Sequence, residues 1–241
     1  MRALIISDIH ANLEALQALP TDVDQLWVLG DLVNYGPDPV EAIEFIRSRA
    51  TMVVRGNHDH SIGYGEDPRC SARFRQMAEE TGRFTRSILT EDHQRYLRSL
   101  PLKTAAAVDG LQVLMCHAVP SDPLFQYRTE ESPEWQSDSV GGVNIELVGH
   151  THLPFQRSFG GRLVVNPGSV GQPKHGRAES CFAIWHDGKV SLASVPYDVE
   201  RTVEKLRNLR LSASVFEDLS YVLRNGRVPG ARPRDQTRFR Q

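Results

Sequence analysis

The stretch Val53-Val54-Arg55-Gly56-Asn57-His58-Asp59 decides how the chain is read. An apolar, β-type run breaks at a glycine, and an amide, an imidazole and a carboxylate follow at once. Glycine takes backbone angles closed to other residues, so a tight turn is expected at Gly56. A strand ending in such a turn aims side chains into a cleft. Asn, His and Asp are also ordinary turn residues. The stretch gains its weight because four other apolar strands end in much the same way.

Upstream, residues 3–6 form a short buried strand that runs into Ser7-Asp8-Ile9-His10. Side chains alternate in extended backbone, which would put Asp8 and His10 on one side. Asn12 fits an N-cap, with Leu13, Leu16 and Leu19 on one helical face. A second strand, 26–29, ends in Gly30-Asp31. Asp38-Pro39-Val40-Glu41 supplies a cap, a proline at N1 and an acid at N3. Downstream, Phe74, Met77, Thr81, Phe84 and Ile88 keep a helical period. Thr90 begins another helix, which Pro101 stops. This predicts a two-helix insertion at about 69–100, over or beside the cleft. Three dipeptides, Asp109-Gly110, Gly160-Gly161 and Asp187-Gly188, each mark a two-residue hairpin turn. Two further strands matter: 113–116 runs into His117, and 145–149 runs into His150-Thr151-His152. Asp198 opens a late helix, Ser214-Val215-Phe216-Glu217 a last one with a capping box, and Asn225-Gly226 ends it. Strands alternating with helices predict an α/β fold with a partly parallel sheet.

The bulk properties agree. The chain has 241 residues, 40% hydrophobic and 24% charged, as suits a globular protein with a sizeable core. A formal net charge of −2 gives no global field to recruit nucleic acid or anionic membrane. The three cysteines Cys70, Cys116 and Cys181 are too few and too scattered for a disulfide framework and fit a reducing cytosol. The N-terminus lacks a signal-peptide pattern, and no apolar run spans a bilayer. A cytoplasmic location is expected.

Five strands thus end in Asp8/His10, Asp31, Asn57/His58, His117 and His150/His152. In open α/β sheets, sites gather beyond the carboxyl ends of strands. Together these side chains make a mixed N/O donor set without thiolate, suited to Mn, Fe, Zn, Ni or Co. They are too many for one four-coordinate ion and about enough for two ions that share a carboxylate. Singly, Asp31 would pass for a turn residue and His117 for a core histidine. Jointly, independent caps would not fall at five strand ends. His60, His93, His175 and His186 have no such setting, and Cys116 is expected to be buried and inert.

The ordered motifs Asp-x-His, Gly-Asp, Gly-Asn-His-Asp, His and Gly-His-x-His resemble those of the calcineurin-like metallophosphoesterase superfamily. Ser7–Leu16, Gly30–Pro39 and Asn166–Pro173 resemble its small one-domain prokaryotic phosphodiesterase branch. The resemblance covers roughly residues 1–197. It implies a four-layer α-β-β-α sandwich of two mixed sheets with helices outside. It also implies a dinuclear centre of two divalent cations, manganese foremost. One ion would take Asp8, His10 and His152, the other Asn57, His117 and His150, with Asp31 bridging. A metal-bridging hydroxide would attack phosphorus, and His58 would act as general acid, oriented or charge-stabilised by Asp59. The substrate would be a small-molecule phosphodiester or phosphomonoester, such as a nucleotide. In the protein-phosphatase branch of the family an aspartate and an arginine stand where this chain has Asn34 and Tyr35, which leaves the partner of His58 open. Ala11 and Ala118 stand where glycine is common. The alternatives are a non-catalytic interaction scaffold and a nuclease, the latter opposed by the missing basic stripe. Residues 1–226 are read as the domain, and the Arg- and Pro-rich 227–241 as a disordered tail. The oligomeric state is left open.

Overall fold

The computed structural model describes residues 1–138 and 140–230. Strands β1 (Arg2–Ile6), β2 (Gln25–Val28) and β3 (Met52–Val53) lie parallel. Helices α1 (Leu13–Gln17) and α2 (Pro39–Arg49) connect them. The chain then leaves this sheet. It builds α3 (Asn57–Tyr64), a 3-10 turn (Ala72–Phe74), α4 (Arg75–Ile88) and α5 (Glu91–Ser99). A second sheet follows, from β4 (Lys103–Val108), β5 (Leu111–Cys116), β6 (Ile145–Leu147), β7 (Phe155–Phe159) and β8 (Arg162–Asn166), with α6 (Glu134–Ser137) between β5 and β6. Finally β9 (Glu179–His186) and β10 (Lys189–Pro196) return to the first sheet, and α7 (Val199–Arg207) and α8 (Ala213–Asn225) complete the fold. The strand orders are β10-β9-β1-β2-β3 and β4-β5-β6-β8-β7, and both sheets are mixed.

Alternation along the strands sorts the core into layers. Ala3 and Ile5 of β1 face inward with Trp27, Leu29 and Trp185, against Val113, Met115, Ile145 and Val165 of the second sheet. Leu4 and Ile6 face outward with Leu16, Ile43, Ile46, Ile62 and Leu97 under the helices. The second sheet carries a thinner cover, in which Trp135 of α6 packs on Phe155, Phe159 and Val164. Arg162 bonds buried Glu146 at 2.9 Å and donates to the carbonyls of Trp135 and Asp138, so it ties α6 to the sheet. A third apolar cluster joins α4 to α7 and α8 through Met77, Ala78, Val203, Leu206, Leu219 and Leu223. The layer order is α-β-β-α. The carboxyl ends of β1–β3 and of β5, β6 and β8 open onto one shared edge.

The expected insertion and the three hairpins are present, and Asp109 and Asp187 take φ of 49°, as their turns require. Several local expectations are corrected. The Asn57-His58-Asp59 stretch is the first turn of α3, not a free turn, because Asp59 at N3 accepts from the Gly56 amide at 3.0 Å. Gly56 has φ −89° and ψ 173°, angles open to any residue. Its side is closed instead, since a Cβ there would collide with the Asp31 carboxylate and amide. The last helix has its N-cap at Ser212, two residues before Ser214. Asp38 caps α2 without a side-chain bond because its carboxylate is held by Lys205 at 2.9 Å. Residues 231–241 of the expected tail lie outside the described residues.

Candidate functional site

Each strand end delivers its side chains through irregular backbone. Among the described residues, eight of the eleven non-glycine positions with positive φ are Asp8, His10, Ala11, Asp31, Asn34, Tyr35, His150 and His152. Such a conformation costs about 1–3 kcal/mol per residue and persists only where the surroundings hold it. Asp8 and His10 share one side, but not by extended alternation, since their φ values are 53° and 48°. They are held from two directions. The amides of Asp8, His10 and Ala11 donate to the carbonyls of Gly30, Asp31 and Leu32. The Ser7 and Asp8 carbonyls accept from the amides of Val170 and Gly171, and Ser169 Oγ also donates to Asp8. Gly149 passes so close to Ser7 that a Cβ would strike its hydroxyl.

The loops bring every predicted ligand together in one buried cluster. Asp8 Oδ1 lies 3.3 Å from His152 Nε2 and 3.9 Å from His10 Nε2. His10 Nε2 and His152 Nε2 are 3.3 Å apart. On the other side His117 Nε2 is 3.2 Å from His150 Nδ1 and 3.0 Å from Asn57 Oδ1. Asp31 Oδ2 stands between the halves, 3.3 Å from His117 Nε2 and 3.7 Å from His10 Nε2. Asp8, His10 and His152, and Asp31, His117 and His150, each converge their ligand atoms to within 4.8 Å.

The surroundings decide what these atoms are. The Nδ1 atoms of His10, His117 and His152 face the carbonyls of Val33, Leu29 and Gln172 at 3.2, 2.7 and 2.7 Å. His150 faces the Phe125 carbonyl through Nε2 at 3.3 Å. A carbonyl only accepts, so each ring in its neutral form spends its N–H there and turns a lone pair inward. Asn57 likewise spends its N–H on the Pro68 carbonyl, leaving Oδ1 toward the cluster. Acceptors thus face acceptors, and buried Asp8 Oδ1 has no hydrogen-bond partner. Cations satisfy such an arrangement, and the two clusters fit metal sites.

The electrostatics run the same way for His10, His150 and His152, whereas Asp31 draws His117 to its protonated form until a cation takes the place of the proton. Burial alone would raise Asp31, but His117 and His58 beside it hold its carboxyl well below the usual range. His117 is lowered by burial and raised more by Asp31, to about 9. Burial keeps His10, His150 and His152 neutral, far below their ordinary value.

His58 lies beside this cluster, its ring 5.1 Å from that of His10 and 4.7 Å from that of Tyr35. Its amide donates to Asp31 Oδ1 at 2.8 Å. Asn34 Nδ2 bonds His58 Nδ1 at 2.9 Å and is itself oriented by Thr81 Oγ1 on Asn34 Oδ1 at 2.6 Å. An amide N–H on Nδ1 leaves the hydrogen of the neutral ring on Nε2. Burial lowers His58 to about 4. The expectation that Asp59 orients His58 is corrected here. Asp59 accepts from the amides of Asp31 and Leu32, both at 2.8 Å, besides Gly56, so it braces the loop carrying Asp31. The partner of His58 is Asn34, which the sequence left without a role. Its signal was its place, three residues after Asp31 in the same loop. Among the histidines set aside, His60 bonds Glu66 and His93 caps α5, both away from the cluster.

Residues 1–187 match the family model of the calcineurin-like phosphoesterase superfamily domain. The chain belongs to that superfamily. This phosphoesterase is 32% identical over 238 residues to the uncharacterized protein MJ0912 of Methanocaldococcus jannaschii, across 89% of this chain and 96% of that one. The crystal structure of a metallophosphoesterase from Sphaerobacter thermophilus overlays on it with a TM-score of 0.76 at 31% identity, across 91% of this chain and 99% of that chain. A symmetrical bis(5'-nucleosyl)-tetraphosphatase of Vibrio parahaemolyticus is 32% identical over 129 residues, 49% of this phosphoesterase and 44% of the tetraphosphatase. Among the described residues, no helix of this phosphoesterase is long and apolar enough to cross a membrane.

Proposed function

We propose that this phosphoesterase hydrolyses esters of phosphate on small molecules, nucleotides among them, with two divalent cations, manganese being the foremost candidate. The observation that carries the reading is the position of Asp31 Oδ2, within 3.3 and 3.7 Å of one histidine from each ligand group. Asp8, His10 and His152 would hold one cation, and Asn57, His117 and His150 the other, with Asp31 shared. Bound there, the cations supply Lewis-acid activation of water and stabilise charge on the phosphoryl oxygens. The neutral amide of Asn57 keeps the site from being over-neutralised, so a net positive centre remains to attract phosphate. His58 faces the centre with a hydrogen on Nε2, aimed by Asn34. A bound phosphate favours the imidazolium, and in that form His58 protonates the leaving oxygen. Asp59 fixes the Asp31 loop rather than touching substrate. Three scattered cysteines without a disulfide support a cytosolic setting. The partial match to the tetraphosphatases supports nucleotides as substrates to try first.

The test is hydrolysis of an aryl phosphomonoester and a bis-aryl phosphodiester by metal-stripped protein, with Mn²⁺, Ni²⁺, Zn²⁺ or Mg²⁺ restored in turn. Turnover that needs metal and is abolished in Asp31→Asn supports the reading. His58→Ala is expected to keep its metal and to lose about 10²–10⁴-fold in kcat on an alkyl ester. An unchanged rate on that ester would remove His58 from its role.

A further inference from the structure

Lys174 belongs to the loop after β8, and nothing in the proposed reaction uses it. Its ammonium lies 4.3 Å from the centre of the Phe74 ring. Phe74 closes the 3-10 turn before α4, so the insertion expected beside the cleft meets the loop after β8 at this pair. From Phe74 a line of rings leads inward, to Tyr35 at 6.4 Å and from Tyr35 to His58 at 4.7 Å and His10 at 4.8 Å. Among the described residues no carboxylate lies within ion-pair reach of Lys174 and no acceptor bonds its Nζ. Two residues before it, the Gln172 carbonyl bonds His152 Nδ1 at 2.7 Å, which seats this loop on the Asp8–His10–His152 side of the cluster. Asp8, Asp31 and Cys70 act on its charge, and it acts on Asp8, His10, His58, Cys70 and His152. Burial lowers it to about 8, which leaves it largely charged at neutral pH.

A cation–π contact contributes about 0.5–1 kcal/mol at an exposed site and about 2 when desolvated. Withdrawing an ammonium from water with no anion beside it costs more than that. The contact with Phe74 therefore explains where the stem rests, and it does not explain a lysine there. An anionic oxygen of a ligand would supply such a cation with a charge-assisted hydrogen bond.

We propose that Lys174 binds an anionic oxygen of the substrate, on the Asp8–His10–His152 side of the centre, and so selects substrates bearing two or more negative charges over monoanionic diesters. The inference rests on the phosphoesterase reading above and names the substrate class within it. The ammonium adds one positive charge to a centre that already neutralises one phosphoryl group. The added charge rewards the second negative charge of a phosphomonoester dianion or of a neighbouring phosphate.

The experiment compares the parent with Lys174→Met, which keeps the stem on Phe74, with Lys174→Gln, and with Lys174→Arg. Metal-loaded protein is titrated with inorganic phosphate and with diphosphate in a calorimeter, and bound metal is measured in each variant. The same proteins are assayed on an aryl phosphomonoester and a bis-aryl phosphodiester. Lys174→Met and Lys174→Gln are expected to bind phosphate about 10- to 100-fold more weakly at unchanged metal content, as for a lost charge-assisted hydrogen bond. Their kcat/KM on the monoester should fall by a similar factor while the diester changes less than about threefold, and Lys174→Arg should restore most of the loss. A larger loss for diphosphate than for phosphate places the contact on a neighbouring phosphate, and equal losses place it on the reacting one. Unchanged phosphate binding, or equal kinetic losses on both esters, would overturn the proposal and leave Lys174 as packing for Phe74. A parent that binds no phosphate and hydrolyses neither ester would overturn the phosphoesterase reading, and this inference with it.

Discussion

Asn34 shows how much of this site depends on one neutral side chain. Its amide meets His58 Nδ1 at 2.9 Å and the Ala78 carbonyl at 3.3 Å, and Thr81 holds its oxygen. Removing it frees the His58 ring to turn without touching any ligand of the metal cluster. Asn34→Ala is therefore expected to keep full metal content and to lose roughly 10- to 100-fold in kcat on an alkyl ester, through misplacement of the ring. Loss of metal together with activity would show that Asn34 holds the cluster instead. That the candidate ligands converge was legible in the sequence, because Asp, His and Asn at five strand ends have little other reason to recur. Asn34 was not, since its role depends on the fold of α4, which brings Thr81 and Ala78 to it from more than forty positions away. Asp59 was read from the sequence as a partner of His58, and its carboxylate instead bonds the amides of Asp31, Leu32 and Gly56. An acid at N3 reaching back to the Gly56 amide is one half of a capping box, and that signal would have found the start of α3.

Among the elements, α6 and its loop are the part the sequence least prepared for. Four residues carry too little periodicity to declare a helix, and the element holds because Trp135 is buried and Arg162 reaches it from β8. The Arg162–Glu146 pair sits inside the molecule, with side chains 3% and 0% exposed. Breaking such a pair leaves a buried charge alone, so Arg162→Ala is expected to cost about 3–5 kcal/mol in urea unfolding. A cost below about 1 kcal/mol would mean that water replaces the pair. The same loop is pinned by Asp138, which bonds Ser121 and Arg128 at 2.8 Å each. Burial pushes Asp138 up, and these two partners outweigh it, so its carboxyl lies below the ordinary 3.8. A lowered acid stabilises the fold fully above its unfolded value and loses that contribution as pH falls through the folded one. Asp138→Asn should therefore lower Tm at pH 6 and converge on the parent in strong acid, which a series of melts across pH will check. By contrast the hairpins were fully legible, because their two-residue turns require positive φ and the Asp-Gly and Gly-Gly pairs between apolar strands tolerate it.

At the scale of the whole molecule, the site is where two sheets meet. Asp8, His10, Asp31 and Asn57 follow strands of the first sheet, and His117, His150 and His152 follow strands of the second. Each ligand group draws on both sheets. Cations bound there join the two halves of the sandwich, so metal should stabilise the fold as well as activate it. At about a thousandfold excess over Kd, binding adds about 4 kcal/mol. For a chain of this size that corresponds to a rise in Tm of roughly 8–16 °C. Calorimetry of chelator-treated protein before and after adding Mn²⁺ measures it, and an unchanged Tm would deny the cross-link. The parallel strands and their helices gave the fold class away in the sequence. The return of the chain to the first sheet did not announce itself, since β9 and β10 read locally as one more hairpin.

That return carries a consequence for how the protein is made. β1 pairs with β2 early in the chain, but its other edge is filled by β9, in a register that sets Arg2 beside His186. During synthesis β1 must wait as an open edge while nearly two hundred residues emerge. Asp8 and Asp31 wait with it, since the histidines that complete each candidate ligand group leave the ribosome only at residues 117–152. Pairings this distant are slow to form, in the range of milliseconds to seconds. The newborn chain thus spends its most aggregation-prone interval with an unpaired apolar strand. All the candidate ligands emerge before β9 does, so a cation captured in that interval would help hold the second half against the first until β9 arrives.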